Sequence, residues 1–374
     1  AAGAVPASSS ALDAPSAATG SAPSLDASAC TGCGECWQAC PDSSIAVTAI
    51  GIEGLLDAAS RQAETSGKIA DALRRSHKHI AARLAKEVDA GVLSEGDIVN
   101  AWGWLAKKMS IPEAERPEYG AHLTATIKVI RGLEPIISAP FFTDRDKSNR
   151  ETLVLAIDPR TCQDCGLCAA VCEPGALSRV PRNNESMLAR YSAWEGLPDT
   201  TGASISAAEA DIGSSAATLL SRHCAQALIG GGAGTPGSGA RLGARLVVAS
   251  VEREAQEQLA GLAGALAEKR DNLWAWVRGE LADNISDGTD LQTFAAAEES
   301  LVRLERPKLA RATKVAAAAD AYHTRLVSGT DGLGRARFGV VTTGGAAGDW
   351  ASRYPHHPFH APLTIAPTET GAEL

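Results

Sequence analysis

Cys30-Thr-Gly-Cys33-Gly-Glu-Cys36-Trp-Gln-Ala-Cys40-Pro41 lies near the start of the chain, and Cys162-Gln-Asp-Cys165-Gly-Leu-Cys168-Ala-Ala-Val-Cys172 matches it further on. Both runs have the spacing C-x2-C-x2-C-x3-C, which suits thiolate ligation of cubane [4Fe–4S] clusters. Three closely set thiolates wrap three irons of one cube, and the fourth, just beyond, is placed to reach another site. Soft sulfur ligands also suit zinc and copper(I). Zinc sites commonly use paired C-x2-4-C units, four ligands to a metal, so two triplets each followed by one further cysteine fit two cubanes better. Zinc or disulfides stay open as the alternatives. The chemistry expected of the chain is movement of single electrons.

The flanks of the two runs are alike. Leu25-Asp-Ala precedes the first and Ser44-Ile-Ala-Val-Thr-Ala-Ile50 follows it. Thr152-Leu-Val-Leu-Ala-Ile-Asp158 precedes the second and Gly175-Ala-Leu-Ser-Arg-Val180 follows. Each half therefore reads as strand, cysteine loop, short turn, strand. Over these segments the chain resembles bacterial-type two-cluster ferredoxins, in which the fourth cysteine of each run ligates the other cluster. The resemblance implies that Cys30, Cys33, Cys36 and Cys172 hold one cube, and that Cys162, Cys165, Cys168 and Cys40 hold the second. Pro41 follows Cys40 as that pattern wants, whereas Glu173 separates Cys172 from Pro174, so a small loop change is expected there with the ligand kept. Trp37 and Gln38, between ligands, are expected to shield the first cluster, since solvent exposure tunes cluster potential.

At 374 residues the chain has room for about two or three domains. It is 45% hydrophobic but only 4% aromatic, and rich in alanine, which favours helical packing over a β-sandwich. A formal net charge of −9 argues against nucleic acid as a partner, and no run of about eighteen apolar residues offers a membrane span. Eight of the nine cysteines lie in the two runs; kept as ligands they imply a reducing compartment, so a cytoplasmic location is expected. Cys224, in a helix-like stretch, reads as a small buried hydrophobe.

The expected fold class is α+β: a ferredoxin-like two-cluster domain with a large helical insertion, then a mainly helical region and the start of an α/β unit. Residues 1–24, Ala/Ser/Pro/Gly-rich and without a Lys or Arg before Arg61, read as a flexible linker with no basic head of a signal peptide. With no initiator Met, such a start is expected of a segment of something larger. Segments 25–52 and 150–182 form the two-cluster domain and 53–149 the insertion. Within the insertion Ile69, Leu73, Ile80, Leu84 and Val88 make a helical stripe, Ser94-Glu-Gly-Asp97 a capping box before Ile98–Met109, and Ala121–Gly132 a third helix. Arg74, Arg75, Lys78, His79, Arg83 and Lys86 lie opposite the stripe, a solvated face or a dock for an acidic electron carrier. His77 and His79 are expected at the surface or an interface.

Residues 183–330 read as helical. Ser206-Ala-Ala-Glu209 is expected to cap a helix running to Ile229, and long helices are expected over Arg241–Glu268, Leu291–Arg306 and from Pro307 to Leu326, forming a hairpin or small bundle. The glycine-rich loop 230–239 contains Gly232-Ala-Gly-Thr-Pro-Gly237, formally G-x-G-x-x-G, but it follows a helix and not a strand, so an inter-helix loop is favoured over an anion or dinucleotide site. Adjacent His223 and Cys224 point about 100° apart on a helix and form no catalytic pair. His356, His357 and His360, set among prolines, read as ordinary loop histidines. In 331–374, Ala336–Thr342 looks like a buried strand opening an α/β unit.

A two-cluster unit with an enlarged middle also resembles the ferredoxin-like domain of pyruvate:ferredoxin and related 2-oxoacid:ferredoxin oxidoreductases. Ser221-Arg-His-Cys224, Pro236-Gly-Ser-Gly239, Gly334-Arg-Ala-Arg-Phe-Gly339 and Arg353-Tyr-Pro355 with Pro358-Phe359 are similar to the central region of large members. That resemblance implies electron relay between a thiamine diphosphate centre with Mg²⁺ and a ferredoxin or flavodoxin, within a homo-oligomer or multi-subunit complex. The Gly-Asp-Gly motif of the diphosphate site is missing from these residues, so thiamine diphosphate is expected on another segment or chain, with no complete catalytic centre in this one. An iron–sulfur subunit of an unrelated oxidoreductase and an assembly protein with structural clusters are the alternatives.

Overall fold

The structure is a computed structural model and describes residues 20–64, 66–88, 91–109, 112–230, 236–284, 306–328, 339–342, 357–361 and 363–365. The fold is organised by two antiparallel strand pairs that cross-connect the cysteine runs. The strand before the first run, β1 (Ser21–Leu25), pairs with the strand after the second, β6 (Leu177–Pro181), from Ser21↔Pro181 to Leu25↔Leu177. The strand after the first run, β2 (Ile45–Gly51), pairs with the strand before the second, β5 (Glu151–Ile157), from Ile45↔Ile157 to Gly51↔Glu151. Each pairing takes one strand from either half, so neither run can fold into its final place without the other. β1 begins inside the stretch expected to be linker, and it is held there by its ladder to β6.

The continuous apolar runs of β2 and β5 hide a period-2 pattern, because both faces of their sheet are covered. Ile45, Val47, Ala49, Leu153 and Leu155 face a core shared with the cysteine loops. Ala46, Ile50, Val154 and Ala156 face a second core built with the helices of the insertion. That insertion comprises α2 (Ile52–Gln62), α3 (Lys68–Glu87), β3 (Gly91–Val92), α4 (Glu95–Met109), α5 (Arg116–Leu133) and β4 (Ile136–Ile137). The two short strands extend the sheet to the order β2-β5-β4-β3. The predicted stripe is realised: Leu73, Ile80, Leu84 and Val88 are buried, and Ile69 packs against them. The predicted capping box also forms, with the Asp97 amide donating to Ser94 Oγ at 3.2 Å and the Ser94 amide donating to the Asp97 carboxylate at 3.0 Å.

Two expectations need correction. The helix opening at Ser206 does not form there. Thr201, whose Oγ1 accepts from the Ser204 amide, caps α8 (Gly202–Ile212), and Gly213, at φ 81°, ends it. Two short helices follow, α9 (Ser214–Thr218) and α10 (Arg222–Ala225). A Thr at the true N-cap and a left-handed glycine outweigh the internal Ser206…Glu209 pattern. His77 is not at the surface either: it is 1% exposed, and its Nδ1 lies 2.5 Å from Asp57 Oδ1 on α2. His79 is exposed.

The described fold also includes a π-helical turn at Ala139–Thr143, α6 (Leu167–Ala170) within the second run, α7 (Asn184–Glu195), α11 (Gly239–Asn284) and α12 (Arg306–Val327). Two compact units divide the chain, one of residues 1–252 with 338–374 and one of residues 253–337. Inside the second unit α11 and α12 lie side by side. The Trp274 indole donates to Asp320 at 2.9 Å, and Arg270 approaches both Asp320 and His323. Position 270 meets 323 and 274 meets 320, so the pair is antiparallel, as the hairpin reading requires. α11 is longer than expected, and the predicted helix Leu291–Arg306 lies almost entirely outside the described residues. β7 (Val340–Thr342) pairs in parallel with β8 (Leu363–Ile365). Of the segment expected to be a buried strand only its end is described, and there Val341 is half exposed.

Candidate iron–sulfur site

Each cysteine loop is shaped by glycines in the left-handed region, where a side chain would be strained. Gly32 (φ 74°) and Gly34 (φ 92°) turn the first loop, and Gly34 starts the short helix α1 (Glu35–Ala39), which carries Cys36 and Trp37 inward. Gly166 (φ 76°) does the same for α6 and Cys168. Cys40 stands at the C-terminal end of α1 in extended conformation, and its sulfur accepts a hydrogen bond from the Ser44 amide at 3.3 Å. Asp164 pins the second loop to the β1/β6 pair, accepting from the Ser21 amide, the Ser21 hydroxyl and Arg179.

The eight cysteines of the two runs line two cavities. Cys30, Cys33, Cys36 and Cys172 surround the first, together with Leu25, Trp37, Leu155 and Leu177. Cys40, Cys162, Cys165 and Cys168 surround the second, together with Ile45 and Ile157. Each cavity thus takes three cysteines from one run and the last cysteine of the other. Glu173 and the displaced Pro174 leave Cys172 on the wall of the first cavity, with Pro174 beside it.

Electrostatics sort the thiols in the same way. Burial, then the thiols of Cys33 and Cys172, push the Cys30 thiol up. Burial, then Cys40, Cys162 and Cys165, push Cys168 up to about 12. Cys36 is raised far by burial and also feels Cys168 of the other group, which places the two cavities next to each other. Buried thiols raised in this way do not ionise together without a cation to balance them. A cluster supplies that positive charge, and loading it would release the thiol protons. The donor set, four soft sulfurs around one cavity with a backbone amide donating to one of them, fits a [4Fe–4S] cluster. Among the described residues, no three His, Cys, Asp or Glu side chains gather closely enough to hold a single metal ion.

Trp37 is 1% exposed, lines the first cavity, and donates its indole N–H to the Ala216 carbonyl at 3.0 Å; Gln38 is half-buried. Cys224 is buried in the core behind the cysteine loops. His357 and His360 are buried; His357 Nδ1 accepts from the Phe359 amide at 3.2 Å. His356 and residues 231–235 of the glycine-rich loop lie outside the described residues. Sequence reasoning missed Arg241 and Arg245 on the first turns of α11. Both are buried, the first against Asp42 at 2.7 Å and the second against the Ser43 hydroxyl at 2.6 Å and the Trp37 carbonyl at 2.8 Å. Two cations at the N-terminal end of a helix oppose its dipole, and that misfit was the available signal.

Residues 23–45 match the 4Fe-4S binding domain family. The match spans the first cysteine run with part of each flanking strand, and it supports an iron–sulfur, ferredoxin-like region there. No curated protein and no solved structure shows a significant match to the chain. Among the described residues no helix is long and apolar enough to cross a membrane.

Proposed function

We propose that this chain relays single electrons through two [4Fe–4S] clusters, one held by Cys30, Cys33, Cys36 and Cys172, the other by Cys162, Cys165, Cys168 and Cys40. The crosswise lining of the two cavities carries the reading. When bound, each cluster supplies a site that accepts and gives up one electron without making or breaking a bond in the protein. The chain's own residues do the rest. Leu25, Leu155, Leu177 and Trp37 keep water from the first cavity, and Ile45 and Ile157 from the second. The Ser44 amide donates to Cys40, a contact that favours the more negative, reduced state. Cys36 and Cys168, one from each site, act on each other electrostatically, which supports electron exchange between neighbouring clusters.

The wider setting follows the sequence resemblance to 2-oxoacid:ferredoxin oxidoreductases: electrons enter from a thiamine diphosphate centre with Mg²⁺ elsewhere in the enzyme and leave to ferredoxin or flavodoxin. Anaerobic reconstitution of the chain, with iron and sulfide analysis, tests the cluster reading; about eight irons per chain are expected, and zinc in their place refutes it. Reduction of a viologen dependent on pyruvate or 2-oxoglutarate by the full complex tests the setting.

A further inference from the structure

The two cavities differ in the charge built around them. Glu35 is the one charged residue on the wall of the first among the described residues. Around the second stand Arg179, Asp164 and Asp42 on its wall, Arg182, which donates to the Cys162 carbonyl at 3.1 Å, and, behind Asp42, Arg241 and Arg245. Four guanidinium groups face two carboxylates. Arg245 is the least replaceable of them. It is fully buried, its Nε and Nη1 are spent on Ser43 and on the carbonyls of Trp37 and Gln38, and no hydrogen-bond partner among the described residues reaches its Nη2. Burying a cation is costly, and negative charge at Cys40 and then at Asp42 offsets that cost for Arg245; of these two, the site of Cys40 is the one that gains charge on reduction.

Building on the two-cluster reading, we infer that Arg245, aided by Arg241, Arg182 and Arg179, makes the cluster held by Cys40, Cys162, Cys165 and Cys168 the more easily reduced of the two, so that an electron shared between them rests there. Reduction adds one negative charge and no proton to that site, and the buried guanidinium stabilises the added charge in a medium where water does not screen it. The helix that carries Arg241 and Arg245 is thereby an electrostatic part of the relay. Arg245 is a positioning residue in this sense: it holds the Trp37–Ser43 loop and biases the electron, and it ligates nothing.

The test is a potentiometric titration of the reconstituted full chain, followed by electron paramagnetic resonance, with the two signals assigned through a Cys33→Ser variant that alters the first cluster alone. Arg245→Met is expected to lower the midpoint of the second cluster and shift the electron's partition between the clusters at least about tenfold, or about 59 mV for a one-electron couple. The first midpoint moves less, and Arg245→Lys, which keeps the charge, retains the wild-type order. Arg179→Gln, a half-exposed position that does not threaten folding, shifts the same midpoint in the same direction by less. Eight irons per chain with the second cluster the harder to reduce in the wild-type chain, or with its midpoint unmoved in both Arg245→Met and Arg179→Gln, overturn the inference and leave the two-cluster reading standing. If Arg245→Met does not fold, unchanged potentials in Arg179→Gln together with a reversed order in Arg245→Lys overturn it. Four irons or fewer in the wild-type chain overturn the reading, and the inference with it.

Discussion

Gly34 and Gly166 occupy the same place in the two cysteine runs, yet substitution by alanine should cost different amounts. Both have left-handed backbones, at φ 92° and φ 76°, so a Cβ costs about 1–2 kcal/mol at either position. At Gly166 a Cβ would meet only the flexible Arg179 side chain, at 3.6 Å, an ordinary contact. At Gly34 it would lie 2.6 Å from the Cβ of buried Ala216 and 3.2 Å from the Trp37 ring. Neither neighbour has room to move, and overpacking of this kind costs about 1–3 kcal/mol. Gly34→Ala should therefore destabilise by about 2–5 kcal/mol and Gly166→Ala by about 1–2 kcal/mol. The assay is anaerobic urea unfolding followed by far-ultraviolet circular dichroism, comparing midpoints at matched cluster content. Ala216→Gly, paired with Gly34→Ala, should recover about 1–3 kcal/mol in a double-mutant cycle. Equal midpoints for the two glycine variants, or no coupling to Ala216, would refute the steric reasoning.

Cys40→Ala should abolish the signal of the cluster held by the second run, and Cys172→Ala that of the first; loss of the cluster belonging to the mutated run itself would break the crosswise assignment. Burial pushes the His77 imidazole below its usual range despite the Asp57 carboxylate beside it. The unfolded chain therefore takes up a proton as pH falls through about 6.5, while the native chain resists it. Stability should decline across that interval, and His77→Gln should flatten the decline; a slope unaltered by the substitution, in paired denaturation series, would remove His77 from the account. Leu55, fully buried where α2 meets the core of the insertion, should cost about 2–5 kcal/mol on replacement by alanine. Iron content should be unaffected, and calorimetry with iron analysis on one preparation checks both.

The cysteine spacing made the eight cavity-lining residues legible, because ligand geometry is local and periodic. The strands beside the runs were legible from their apolar content, and α3 and α4 from a stripe and a capping box. Less accessible were one helix misplaced by a rival local pattern and features that depend on distant partners. Ser206 and Glu209 satisfy the capping pattern locally, but Thr201 and Gly213 decide the helix ends. His77 falls on the apolar stripe by spacing, four residues after Leu73 and three before Ile80, but a polar ring reads as surface; only the fold shows α2 covering it and Asp57 meeting the ring. Arg241 and Arg245 read as part of an ordinary helix surface, and only the fold brings the Cys40–Ser44 segment over them. Charge buried between remote segments leaves little trace in any short stretch of sequence.

The last rung of the β2/β5 ladder joins Gly51 to Glu151, so everything from α2 to the end of the insertion departs and returns at adjacent points. A hairpin closed there by a two-residue turn would keep its register without the intervening segment. The helical layer is thus a tenant of the strand pair and not its architect. A miniature lacking it would need its newly bared sheet face, with Ala46, Ile50, Val154 and Ala156, recoded to polar residues, and the edge of β5 that β4 now covers would need a charge to discourage self-association. So trimmed, the remainder would be a minimal redox cartridge, open to grafting of a different module at the same rung.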